Sequence, residues 1–148
     1  MDSIRIDSGV KRLAINDDPD RVIAFNPSDV AFVERFYALI GEFETKQADY
    51  ERRAADLDAV TETDDNDLPV NLGARIAFMR EVCETMHGQI DGLFGEGTAQ
   101  TVFEGALDIE MIASFFEGLT PYIQSSRQEK LKKYARPAKG KGRKAVMR

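Results

Sequence analysis

A mainly helical α+β fold is predicted by three features of the 148-residue sequence. Two long stretches, beginning near Asn26 and Asp67, carry apolar residues three and four apart, the spacing of one helix face. Residues 1–25 instead alternate apolar and polar side chains between turn formers, the pattern of short strands. Glycine and proline then divide the remainder into a short third helix and a last helix with proline inside it.

The opening stretch reads as a three-stranded antiparallel meander. Ile4 and Ile6 share one strand face, Ser8-Gly9 turns, Val10, Leu13 and Ile15 return, the turn formers Asn16 to Asp20 follow, and Val22 to Phe25 form the third strand. Asn26-Pro27 ends it; Ser28 can accept a bond from a first-turn N–H, and Asp29 sets a negative charge at the positive end of the helix dipole. Val33, Phe36, Ile40, Phe43, Gln47, Tyr50, Ala54 and Leu57 then form a seam, widened early by Phe32, Tyr37 and Leu39. This helix should be buried in its first half and half exposed in its second.

Thr61 to Asp67 is acidic and without apolar residues, a solvated loop. It lacks the sixth-position glycine and closing glutamate of a calcium-binding loop. Helix restarts at Asp67-Leu68-Pro69, and Leu72, Ile76, Met79, Cys83, Met86, Ile90 and Leu93 make a second seam. So short a connection implies an antiparallel helical hairpin, with Phe78 and Phe94 off the seam and facing a third element. Gly92, Gly95 and Gly97 end the helix, and Thr98 caps a short one holding Val102 and Phe103. The string FGEGTAQTVFEG has no lysine after its second glycine, which argues against a phosphate loop. Asp108 opens the last helix, where Pro121 removes one N–H and predicts a kink or two abutting helices.

Charge divides the chain. Residues 127–148 hold ten Lys or Arg and one acid, near +9, and residues 1–126 hold ten bases and 25 acids, near −15. Attraction between these parts, within or between copies, should weaken with salt. A single domain over residues 1–135 and a flexible basic tail over 136–148 are expected, because Lys, Gly, Arg and Ala bury too little surface to fold alone. No apolar run is long enough to cross a bilayer and no signal region opens the chain, so a cytoplasmic protein is expected. Cys83 has no disulfide partner, and His87 lies four residues on without further ligands. No acid–base pair, nucleophile triad or metal-ligand set has workable spacing; neither an enzyme nor a cofactor is expected.

The segments AINDDPDRVIAFNPSDVAFVERFY, IGEFETKQADYERRAADLD, FGEGTAQTVF and FFEGLTPYIQSSRQEKLKKY, spanning most of residues 14–134, resemble the tail assembly chaperones of long-tailed bacteriophages and prophages. The resemblance implies a non-enzymatic, self-associating protein of the host cytoplasm, absent from the mature virion. It would coat the long tape-measure protein and help tail-tube subunits assemble around it. Such proteins are often made in two lengths through a ribosomal frameshift near the end of the short form.

A chaperone for an apolar-striped helical client needs an exposed apolar face and many individually weak contacts. Phe115, Phe116, Leu119 and Tyr122 beside Pro121 are the candidates for that face, with Lys130, Lys132, Lys133 and Arg136 as basic partner contacts further on. The competing reading of the apolar four is closure of the bundle core. Two other function classes stand beside the chaperone: a self-associating structural adaptor using the Ile40–Leu57 seam, and a nucleic-acid binder acting through the basic tail. The acidic body and the scarcity of aromatics near the basic run disfavour nucleic acid.

Overall fold

The computed structural model describes the backbone of residues 1–135 and the side chains of residues 1–125. The elements run β1 (Lys11–Ile15), β2 (Asp18–Phe25), α1 (Val30–Asp58), α2 (Leu72–Phe94), α3 (Thr98–Phe103) and α4 (Ile109–Ala135). The expected tail, residues 136–148, lies outside the described residues. No helix among the described residues is long and apolar enough to cross a membrane.

The meander is a two-stranded hairpin, which corrects the three strands expected. Asn16 and Asp17 both take positive φ, 53° and 61°, the conformation of a tight hairpin turn. β1 pairs antiparallel with β2 from Lys11↔Phe25 to Ala14↔Val22, and the ladder then jumps to Ile15↔Asp18. Residues 1–10 form no strand. Local bonds divert them: Gly9, at φ 68°, donates its N–H to Asp7 Oδ1, and Val10 donates to Ser8 Oγ. Side chains that bond their own backbone in this way compete with a sheet ladder.

Asp29, rather than Ser28, caps α1, accepting from the Ala31 N–H at 2.9 Å. The first half of α1 buries Phe32, Val33, Phe36 and Leu39, and no residue beyond Leu39 is fully buried, so burial fades as its composition predicts. α2 begins at Leu72 rather than near Asp67, because Asp67 takes positive φ and Pro69 bridges back to Thr63. Gly97 occupies the cap position of α3, one residue before the Thr98 expected there. α4 runs unbroken through Pro121.

The second seam is corrected as well. Its later members Cys83, Ile90 and Leu93 are buried, whereas Ile76 and Met79 are 57% and 43% exposed. In this part α2 turns Arg75, Phe78 and Glu81 toward α1. Phe78 therefore meets Tyr50 of α1 at 6.1 Å, not a third element. Arg53 lies 4.8 Å above the Phe78 ring and grips both Glu81 oxygens at 2.8 Å. That bidentate bond, more than the neighbouring charges, raises the Arg53 pKa and lowers that of Glu81.

The core lies where both strands, α3 and α4 close over the inner ends of α1 and α2. Phe25, Phe32 and Phe94 meet with ring centroids 5.5–5.7 Å apart, and Ile90 and Ile123 are wholly enclosed. Such offset and edge contacts add to the free energy of burying the rings.

Candidate functional site

Between β1 and α4 lies an open groove of about 680 Å³. One wall is the run from Arg12 through Asp17, the outer side of β1 and its turn. The other is a stripe of α4 in which Met111, Phe115, Leu119 and Tyr122 recur at spacings of four, four and three. Ile23 of β2 with Val102 and Phe103 of α3 forms the floor, all of them at most 5% exposed.

The α4 wall stays open because its intervening residues, Ser114 and Gly118, are small; a Cβ at Gly118 would meet nothing within 4 Å. Met111 and Tyr122 stand at the rim, 36% and 40% exposed, while Leu119 is 2% exposed at the base. The rim also carries Arg12, Asn16, Asp17 and Glu110.

The irregular β ladder ties the hairpin to the bundle. Pro19, Asp20 and Arg21 occupy the register jump. Arg21 Nε donates to the Thr101 carbonyl at 3.0 Å, its Nη2 donates to the Val102 carbonyl, and its Nη1 lies 3.4 Å from Glu104. A charged fork on two carbonyls fixes β2 against α3, and among the described residues no backbone bond reaches the far side of β1. An edge strand of this kind points every second N–H and C=O away from its partner.

Phe115 joins the groove to the core through Phe94, Phe103 and Phe116, with centroids 5.5–5.9 Å apart. Three of the four apolar candidates, Phe115, Leu119 and Tyr122, thus converge on the groove. Phe116 does not: it turns to α1, 5.7 Å from Phe43 and 6.4 Å from Phe36, where it closes the core. Lys130, Lys132 and Lys133 lie on α4 beyond the described side chains, and Arg136 lies outside the described residues.

The β1 wall escaped sequence reasoning, since nothing local says which helix a hairpin will face. The stripe Met111, Phe115, Leu119, Tyr122 was the available signal. A second, smaller concavity of about 310 Å³ lies among Arg75, Ile76, Met79, Arg80 and Leu107.

Beneath the floor His87 stacks on Phe103, centroids 4.8 Å apart and planes within 8°. Its Nε2 is buried without a hydrogen-bond partner among the described residues. Burial lowers the His87 pKa, against smaller upward pulls from Asp91 and Glu84. Burial raises the Cys83 thiol, with Asp108 adding to the rise. In both cases burial favours the neutral form. Among the described residues no three His, Cys, Asp or Glu side chains are grouped to hold a metal.

The groove is equipped for binding: hydrocarbon walls, a charged rim and one strand edge unpaired among the described residues. No curated protein matches the chain. No solved structure matches it either. Residues 20–146 match a family of unknown function (DUF6673), and the chain belongs to that family.

Proposed function

We propose that this protein is a phage tail assembly chaperone, a non-enzymatic binder of an apolar-striped helical client such as a tape-measure protein. The observation that carries the reading is the open groove, in which Phe115, Leu119 and Tyr122 meet an unpaired strand edge. The resemblance of four segments to tail assembly chaperones supplies the client class. A helix about 11 Å across occupies roughly 140 Å³ per residue, so the groove takes little more than one helical turn. A single site of that size binds weakly. Retention then comes from many copies along one client, and weak sites are what incoming tube subunits can displace. In this reading the protein acts as a homo-oligomer in the bacterial cytoplasm and leaves before the virion is complete.

The test is co-expression with the tape-measure protein encoded nearest to it, followed by measurement of soluble client and of the copies that co-purify. Met111→Asp with Tyr122→Asp places charge on the rim without touching the buried floor. At least a tenfold loss of co-purified client is expected. Equal client solubility with and without the chaperone, or full retention by the rim variant, refutes the proposal.

A further inference from the structure

Residues 1–8 are exposed throughout, and they include two β-branched apolar side chains, Ile4 at 87% and Ile6 at 83% exposure. In extended backbone these two share a face, as the residues of a half-buried strand do. The segment is not loosely rooted. Asn26 Nδ2 donates to the Ser8 carbonyl at 2.8 Å, and the Asn26 side chain sits 2.9 Å from where a Gly9 Cβ would be. Held there, at positive φ, Gly9 joins the hairpin to residues 1–8, which take no place in their own sheet.

The same molecule has an unfilled strand position. β2 is fastened to α3 through Arg21, whereas the outer edge of β1, unpaired among the described residues, belongs to the run that forms one wall of the groove. A strand 4.8 Å from its neighbour, in a layer about 10 Å deep with 3.3 Å per residue, occupies roughly 160 Å³ per residue. The groove of about 680 Å³ therefore matches some four extended residues, the length of Ser3 through Ile6. Its floor is apolar where Ile4 and Ile6 would face, and its rim carries Asp17 and Glu110 for Arg5, and Arg12 for Asp7.

We infer that residues 3–6 of one copy add as a strand to the free edge of β1 in a second copy, with Ile4 and Ile6 in its groove. Strand addition takes affinity from main-chain hydrogen bonds and register from alternate side chains. Donation from copy to copy builds an oligomer without any client. The assignment uses the groove of the proposed function but not its occupant, and a client that enters the groove competes with the donated strand.

The experiment contains no client. The molar mass of the full chain is measured by light scattering across a range of concentrations, beside the I4D/I6D double variant and an I76D/M79D variant. The wild type should give a multiple of 16.6 kDa, I4D/I6D the single-chain mass with an unchanged helical spectrum, and I76D/M79D the wild-type multiple. A labelled peptide of residues 1–8 should bind I4D/I6D, whose groove is empty, and bind at least tenfold more weakly once Tyr122→Asp is added. A monomeric wild type, an I4D/I6D variant that keeps the wild-type mass, or a peptide that does not bind overturns the inference.

Discussion

Arg75, beside Asn71, clamps the outer end of the helical hairpin, and replacing Arg75 with methionine should loosen that end while the bundle stays closed. Arg75 Nη2 donates to the carbonyls of Leu57 at 3.0 Å and Val60 at 2.9 Å, and Nε donates to Asn71 Oδ1 at 2.8 Å. α1 ends at Asp58, where the Leu57 carbonyl also accepts from Asn71 Nδ2 at 2.9 Å and from the Val60 N–H at 3.3 Å, so Arg75 shares that carbonyl and is the side chain that reaches the Val60 carbonyl. The Arg75 side chain is 29% exposed, and water recovers part of what is lost; each charged bond to a carbonyl is worth about 1 kcal/mol here. The Asn71 bond adds about 0.5–1 kcal/mol. The ion pair to Asp58, whose side chain is 75% exposed, adds next to nothing. Methionine keeps the apolar stem, so the deficit is about 2–3 kcal/mol. Amide hydrogen exchange reads it directly. Protection of the Ala59 and Val60 N–H groups, which bond to Ala55 and Leu57, should fall by about 30- to 150-fold, since 1.36 kcal/mol is tenfold. Amides near Ile90 and Ile123 should be unaffected. Unchanged exchange at Ala59 and Val60, or equal loss at Ile90, would refute the account of Arg75 as a local clamp.

The remaining predictions concern single side chains. Because His87 binds a proton less readily folded than unfolded, its stability contribution is complete above its ordinary pKa near 6.5 and declines as pH falls through that value. Urea midpoints should drop between about pH 7.5 and about pH 5.5, and His87→Phe should flatten that slope. Cys83, 0% exposed and with its thiol raised by burial, should resist a thiol reagent in the native protein and react fully in urea. Removing the α1 cap with Asp29→Ala should cost about 1 kcal/mol in urea denaturation, with the unfolding slope unchanged.

Helices were legible because their spacing is written locally. The periodicity from Val33 to Leu57, the glycines after Leu93 and the turn at Asn16-Asp17 each act within a few residues, and the structure places elements there. Ile4 and Ile6 show the limit of that reasoning. Their alternation signals a strand, but a strand needs an edge, and bonds at Asp7, Ser8 and Gly9 steer them from their own. Ile76 and Met79 show it again, since a seam says that a helix face is apolar and not which neighbour will reach it.

For the candidate site, the helical spacing of Phe115, Leu119 and Tyr122 was enough to mark an apolar stripe before any fold was known. It could not separate them from Phe116, one residue away, which the structure commits to Phe36 and Phe43. The sequence by itself determined the helical elements, the hairpin turn, the uneven charge and the apolar stripe on α4, all consequences of short-range sterics and periodicity. Only the tertiary structure decided that β1 stands opposite that stripe, with its outer edge unpaired among the described residues. Contacts between residues some 100 positions apart depend on how every element packs at once, and no local pattern encodes them.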